Sequence, residues 1–425
     1  MIDKKTLDTL CTALHKKAPD WNTISKLIES ASPFINEKID GDDSLLSFLY
    51  KHCNPDTENV LLPLTKLFLE NGYDVSANDR FNGGQALHAL CWSTHQVEIL
   101  NTAELLLDTG AYPFFTSDDS DPDGLPGILD SISFKLSHWQ MGDAAYANTL
   151  EAYYQMIKAA QEGMDYHGIR TVNECYGRVL TRAETTEFCG KHIYILWFDG
   201  SPLIVGSHID FVINPHIAKY SVTTSAADVF SEIIGARLLS LNFLSSTCAM
   251  LNFDNGKHLV LSQNLTTTED SFARVCITTS DNCFDELKSG TIEEILFTSA
   301  LRYVPVCINY CEDTVYLKTK DKLYLIAAIG EEYTQHRLCC ISVNPEWAED
   351  YSKKMKHPHF AADMIKQDRN GDVTALILAS SGKYLHFVST LFRGIEFMLK
   401  SEIATGAHSP EYFRNGEKIE FIYRT

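Results

Sequence analysis

The chain has 425 residues, of which 45% are hydrophobic and 22% are charged, proportions typical of a folded soluble protein with two or three domains. Its 36 basic and 56 acidic residues give a formal net charge of −20. This acidic surplus disfavours nucleic-acid and anionic-membrane partners, because both reward clusters of Lys and Arg. It favours a protein partner with a basic surface. The alternative is that the charge only keeps the protein soluble.

The N-terminal segment "MIDKKTLDTLCTALHKK" has no uninterrupted apolar run and does not resemble a secretory signal. No window approaches the ~18 apolar residues needed to span a bilayer. Twelve cysteines in such a chain indicate reduced thiols. We therefore expect a cytoplasmic location and no membrane partner.

Four helical segments in the first 165 residues share a pattern, in which a Leu or Ile pair is followed by polar residues, a small residue and a turn. They are "KLIESASPFIN", "KLFLENGYDVSAND", "ELLLDTGAYPFFT" and "QMIKAAQEGMDYHG", with small residues Ala31, Gly72, Gly110 and Gly163. Each small residue stands where a helix must end in a left-handed cap, which costs glycine nothing. The spacings of 41, 38 and 53 residues predict about four repeated helical units over residues 1–165.

The third unit, residues 79–113, is the most complete. Asp79 and the following glycines suit a turn, "ALHA" at 86–89 begins a helix, and "LLLDTGA" ends another. In these motifs the unit resembles an ankyrin repeat, with alanine at position 86 instead of proline and about three extra residues between His95 and Leu105. The resemblance implies a stack of helix pairs maintained by a set of structural residues: Gly72, Leu87, His88 and Gly110. It also implies that His88 bonds the backbone of neighbouring turns and locks one repeat to the next.

Candidate partner contacts surround this third unit. They are Arg80, Phe81 and Asn82 at the tip of one finger, Trp92 and His95 near the end of the first helix, and Asp118, Asp119 and Asp121 in the acidic run that follows. An aromatic residue and an arginine at an exposed tip are typical interface anchors. The alternatives are that the aromatic residues pack inside the repeat and that the aspartates form a solvated loop.

Residues 166–345 contain short β-branched and aromatic runs separated by turns, so we predict a β-rich α+β domain built from hairpins. Hairpins are expected at 192–205, 247–261 and 313–327, the first two around Asp-Gly and Asn-Gly turns that tolerate positive φ. Segments 225–234 and 344–356 are predicted as helices. The similarity of the hairpins leaves open an internal duplication.

Residues 346–425 are predicted as a mixed, partly helical segment. Within it, 367–397 has two interpretations. The segment matches a further ankyrin-like unit, with one residue inserted and one deleted, or "VTALILA" and "KYLHFV" pair as a hairpin across Ser-Ser-Gly.

Catalytic signatures of the common hydrolase, metalloprotease and nucleotide-binding classes are missing from the sequence. "DRNGD" at 368–372 has its glycine too early for a calcium loop. Cysteine pairs at 307/311 and 339/340 lack zinc-finger spacing and favour buried thiols. We therefore predict a non-enzymatic protein-interaction protein without metal or cofactor, acting as an inhibitor or immunity factor in a special case. The alternative is an enzyme with its active site in 170–345 and the repeats as a targeting arm.

Overall fold

The computed structural model describes residues 2–39, 43–54, 59–78, 81–92, 98–115, 127–139, 144–188, 191–206, 211–245, 248–262, 274–288, 290–297, 301–303, 309–311, 315–329, 337–350, 354–367, 372–380, 383–389 and 395–400. The chain divides into two units. The helical unit comprises Met1–Trp139, Ala145–Thr171 and Val212–His216, and the sheet unit comprises Gln140–Ala144, Val172–Phe211 and Ile217–Thr425. The helical unit thus extends beyond the predicted boundary at residue 165 and includes a short segment to which the chain returns.

The helical unit contains eight α-helices in its described residues: α1 Lys4–Leu14, α2 Trp21–Ala31, α3 Leu45–Lys51, α4 Leu61–Glu70, α5 Phe81–Leu90, α6 Ile99–Asp108, α7 Ile128–Trp139 and α8 Ala144–Gln161. α1, α3, α5 and α7 pack in one row, and α2, α4 and α6 pack in a second. Their core is one continuous apolar cluster that includes Leu14, Leu46, Phe68, Leu106 and Tyr153. The fold class predicted for the N-terminal region, a succession of helices before the sheets, is confirmed at this level.

Helix ends in this unit follow from local chemistry. The Asp3 and Asp20 side chains accept N–H bonds from the first turns of α1 and α2. Gly72, Gly110 and Gly163 all have positive φ, as the sequence predicts. After α4, the Tyr73 N–H bonds the Phe68 carbonyl at 2.9 Å, and after α6 the Ala111 N–H bonds the Leu106 carbonyl at 2.9 Å. The prediction of a left-handed cap at Ala31 was wrong. Ala31 has φ −86°, because the chain continues from it directly into a 3-10 helix.

The strands follow in this order: β1 Arg170–Thr171, β2 Leu180–Phe188, β3 Lys191–Phe198, β4 Ser201–Val205, β5 Val212–Ile213, β6 Thr224–Ser225, β7 Leu238–Ser245, β8 Cys248–Phe253, β9 His258–Ser262, β10 Arg274–Thr278, β11 Thr291–Phe297, β12 Leu301–Tyr303, β13 Asn309–Cys311, β14 Val315–Lys318, β15 Leu323–Ile329, β16 Arg337–Val343, β17 Lys354–Gln367, β18 Val373–Ser380, β19 Lys383–Ser389 and β20 Ile395–Lys400. Three short helices lie among them: α9 Pro215–Tyr220, α10 Ala227–Phe230 and α11 Phe284–Lys288. The helices predicted at 225–234 and 344–356 are reduced to α10 and to a 3-10 helix at Pro345–Asp350.

The strands form antiparallel sheets. β1 and β5 pair in the helical unit. In the sheet unit, neighbouring strands follow the orders β4-β3-β2-β6, β10-β9-β8-β7 and β12-β13-β20-β19-β18-β17-β11-β14-β15-β16. In the last of these, β11 pairs with β17, which places Thr291 opposite Ala361 across a long sequence separation. Side chains of Tyr316, Ile341 and Trp347 pack with Cys248 and Cys339 in its core.

The described residues between 354 and 400 join this large sheet as strands. β17 to β20 are strands, which corrects the partly helical prediction for the described residues between 354 and 400. β18 and β19 form a hairpin in which Ala375 lies opposite Val388 and Ser380 opposite Lys383. The hairpin alternative for 367–397 is therefore the observed structure, and the ankyrin-like interpretation of that segment was wrong.

The sheet unit contains two three-stranded meanders, β2–β3–β4 and β7–β8–β9, with the same turn and contact geometry. The hairpins β3–β4 and β8–β9 turn after Phe198 and Phe253, whose rings stack 6.4 Å apart. The aspartate after each phenylalanine accepts a hydrogen bond from the backbone N–H of the residue that precedes the first strand of a meander. The Asp199 side chain accepts the Val179 N–H at 3.1 Å, and the Asp254 side chain accepts the Arg237 N–H at 2.9 Å.

The two residues that donate these N–H groups are also paired with each other. Val179 and Arg237 form an antiparallel bridge, each just before the first strand of its meander. In both meanders the register shifts directly after that strand's first residue, Leu180 in one and Leu238 in the other. Matched turns, matched bulges and a mutual contact between equivalent residues support the internal duplication that the sequence left open.

Helices in the described part of the chain are too short or too polar to cross a lipid bilayer.

Candidate functional site

One face of α5 carries a row of residues at spacings that bring them together on a helix. Phe81, Gln85, His88 and Trp92 are four, three and four residues apart, so their side chains share a face that continues just past the end of α5. The first three are half-buried and Trp92 is 38% exposed. We call these four residues the α5 stripe.

The opposite face of α5 is buried, and two glycines allow it to approach neighbouring turns. Leu87 is fully buried, as expected of a repeat-maintaining residue. A Cβ atom on Gly83 would lie 2.8 Å from the Val75 carbonyl oxygen and 2.9 Å from the Ala111 Cα. The Gly83 N–H bonds that same carbonyl at 3.0 Å. These glycines therefore lie inside the first turn of a helix, and their predicted placement in a turn before it was wrong.

His88 links two helices of the same row. Its Nε2 lies 2.8 Å from the Ser131 hydroxyl on α7. Burial lowers the pKa of His88, which favours the neutral imidazole at neutral pH. The predicted role of joining one repeat to the next fits this contact. The partner, however, is a side chain and not the backbone of a turn.

We expect His88→Ala to lower the free energy of unfolding by about 1–3 kcal/mol, because the buried Ser131 hydroxyl loses its partner. Since the folded pKa of His88 is depressed, its contribution is complete above the ordinary value of 6.5 and is lost as the pH falls through the folded pKa. Urea unfolding of the full chain at pH 7.5 and 5.5 measures both effects. Equal stability of wild type and variant at pH 7.5 would contradict the assignment.

The two aromatic ends of the stripe each have a lysine stacked on the ring. The Lys38 ammonium lies 3.9 Å from the Phe81 ring centroid, and the Lys135 ammonium lies 4.4 Å from that of Trp92. Phe81 also packs edge-on against Phe115 at 5.5 Å. Both rings are thus held in place while part of each remains open to solvent.

Asn82 does not stand at an exposed tip, which corrects its assignment as a surface contact. Only 1% of it is exposed. Its side chain donates to the Asp74 carbonyl at 3.3 Å and accepts from Asn78 Nδ2 at 3.1 Å. The Tyr73 hydroxyl donates to its carbonyl at 2.9 Å. Asn82 therefore fixes the preceding turn to the start of α5.

The remaining predicted contacts, Arg80, His95, Asp118, Asp119 and Asp121, lie outside the described residues. Sequence reasoning overlooked two exposed aromatic residues on the neighbouring loop and helix. Phe114 and Phe134 are each 49% exposed. Phe134 stands between Ser133 and Lys135, a polar setting that could have indicated it, whereas Phe114 lies in an aromatic run that gives no such signal.

No family model matches this chain, and no curated protein matches it.

Thiol chemistry is disfavoured at the described cysteines. Burial raises the pKa of Cys91, Cys175 and Cys339 to about 12. Burial likewise raises the pKa of Cys248 and Cys340. These thiols remain protonated at neutral pH and act as small apolar side chains. In the described part of the chain, no group of three His, Cys, Asp or Glu residues is arranged to hold a metal ion.

Proposed function

We propose that this is a non-enzymatic protein-interaction protein whose helical unit contacts a partner protein through the α5 stripe. The observation that carries the proposal is the row of partly exposed rings at Phe81, His88 and Trp92, flanked by Phe114 and Phe134. Ordered aromatic side chains provide large contact areas at little entropic cost and are enriched among residues that dominate binding energy.

An ankyrin-like architecture is part of the same proposal. It is supported by the two rows of helices, by glycines with positive φ after α4 and α6, and by the contact of His88 with the next helix of its row. Stacked repeats of this kind present a continuous surface and need no reactive group to act.

A partner with a basic surface suits the charge of this unit. Residues 1–171 contain 12 Lys and Arg against 25 Asp and Glu, so they carry −13 of the chain's formal net charge of −20. Long-range attraction accelerates association of oppositely charged proteins and weakens with salt. An inhibitor or immunity factor that neutralises a basic enzyme is the special case of this proposal.

We expect Trp92→Ala to weaken capture of the partner about 10- to 30-fold, the loss typical of a central aromatic contact. The full-length protein, immobilised, captures the partner from its native host, and the Kd is then measured for wild type and variant at low and physiological salt. Tyr220→Ala is the matched control, since that side chain is 70% exposed but belongs to the sheet unit.

The proposal predicts a normal Kd for the Tyr220 variant, a weakened one for Trp92→Ala and Phe134→Ala, and weaker binding at higher salt. Equal binding by all three variants and wild type would overturn it. Recovery of a basic enzyme that is inactive in the complex would support the inhibitor case.

The enzyme alternative gains no support from the described thiols of 170–345, because burial keeps Cys175, Cys248 and Cys339 in the protonated state that cannot attack a substrate.

A further inference from the structure

Histidines and carboxylates meet where the chain leaves the helical unit. The His167 Nε2 lies 2.9 Å from Asp108 Oδ1, and its Nδ1 lies 3.0 Å from Asp165 Oδ1. Asp108 is the last residue of α6, and Asp165 lies in the turn after α8. One imidazole therefore stands between two carboxylates from separate segments.

This geometry requires a doubly protonated ring. A neutral imidazole donates from only one nitrogen, so the other would present its lone pair to a carboxylate oxygen. Only the imidazolium donates to Asp108 and Asp165 together. It also places a positive charge at the C-terminal end of α6, where Asp108 alone is unfavourable to the helix dipole.

A third segment contacts the same residue through its backbone. The His216 Nε2 donates to the His167 carbonyl at 2.7 Å. The His216 Nδ1 lies 3.4 Å from Asp165 Oδ2, but its alignment is too poor for a hydrogen bond, and the atom is buried without another partner.

Further titratable groups face the cluster: Tyr166 beside His167 in the chain, Glu104 on α6 and Arg170 on β1. The Tyr166 hydroxyl donates to Asp108 at 2.9 Å, and Glu104 pairs with Arg170 at 2.5 Å. Hydrogen bonding to Asp165 is the main cause that raises the pKa of His167, with Asp108 and Glu104 adding to it. The hydrogen bonds from His167 lower the pKa of Asp165.

We propose that Asp108, Asp165, His167 and His216 form a pH-operated clamp, which holds the turn after α8 and the returning segment Val212–His216 against the end of α6. The clamp closes when His167 is protonated. Because its folded pKa is raised, the stabilisation is complete below the ordinary value of 6.5 and is lost as the pH rises through the folded pKa. On the acid side it is lost as Asp165 becomes protonated, below its ordinary value of 3.8.

The clamp acts on the segments through which the chain passes between its two units. Opening it frees residues 164–171 and 212–216 to exchange and to move, while the buried helical core is untouched. The device therefore makes this exit from the helical unit sensitive to pH near neutrality, independently of the binding function proposed above.

Hydrogen exchange of the full-length protein at pH 5.5 and 7.5, corrected for intrinsic rates, tests the clamp. We expect the amide protection of residues 164–171 and 212–216 to be about 2- to 5-fold lower at pH 7.5 than at pH 5.5, the range of an exposed ion pair. His167→Gln should abolish this difference. The matched control His15→Gln, at an exposed position after α1, should retain it.

An NMR titration of the histidines gives a second, independent measurement on the wild type. The proposal expects a pKa for His167 above 6.5, lowered by Asp165→Asn. An unshifted or depressed pKa for His167, or an undiminished pH difference in His167→Gln, would overturn the clamp.

Discussion

Gly83→Ala should lower the free energy of unfolding by about 2 kcal/mol, even though alanine is the better helix former by about 1 kcal/mol. The added methyl would lie 2.8 Å from the Val75 carbonyl and 2.9 Å from both Cα and Cβ of Ala111. Two separate turns would have to move apart, and such overpacking costs about 1–3 kcal/mol before any bond is lost. The Gly83 N–H bond to Val75 would lengthen with that movement.

Urea unfolding measures the loss, with Asn101→Ala as the control. Asn101 is exposed on α6, where the same new residue stays in solvent and gains helix propensity. The prediction is a lower midpoint for the Gly83 variant and an unchanged or higher one for the control. A Gly83→Ala protein as stable as wild type would show that the turns around Val75 and Ala111 are looser than the structure indicates.

Asn82→Ala is expected to cost about 2 kcal/mol, because it removes the centre of a network of three asparagines. Asn82 Nδ2 lies 3.4 Å from Asn36 Oδ1, and Asn78 Nδ2 donates both to Asn82 and to the Asn36 carbonyl. The Asp74 carbonyl would also lose a donor. Buried polar groups left without partners typically cost about 1–3 kcal/mol each, and solvent entering the turn compensates part of this.

A double-mutant cycle with Asn36→Ala separates this network from simple loss of volume. Both residues bond the same turn, so their combined effect should be smaller than the sum of the single effects. Unfolding of the four proteins at one pH provides the comparison. Strict additivity, or an Asn82 variant with unchanged stability and weakened partner binding, would contradict the structural role and favour a surface contact instead.

The two parts of the chain differ in what their sequences reveal. Glycines at 72, 110 and 163 were predictable as helix ends, because a left-handed residue is a local requirement. The hairpins around Asp199 and Asn255 were equally predictable, since their turns have φ values that these residues and the following glycines adopt readily. The 367–397 segment was ambiguous because its apolar residues fit both periods over a short run.

The candidate site was less accessible to sequence reasoning. The spacing of the α5 stripe follows from the chain alone, but the burial of Asn82 depends on the turn that folds over it. The partner of His88 is Ser131, 43 residues later, and no local pattern predicts a hydroxyl at that position. The His167 clamp is further from prediction, since its members come from 108, 165, 167 and 216.

The amino-acid sequence alone predicts several local features: the helix ends at glycine, the turns of the hairpins, the change from helices to antiparallel strands, and the acidic net charge. These depend on backbone dihedrals, side-chain periodicity and charge, which are properties of neighbouring residues. Only long-range packing sets which strand pairs with β11, which side chain bonds His88 and which carboxylates surround His167. Such contacts join residues far apart in sequence, and they are selected by the packing of the whole unit, which no single segment encodes.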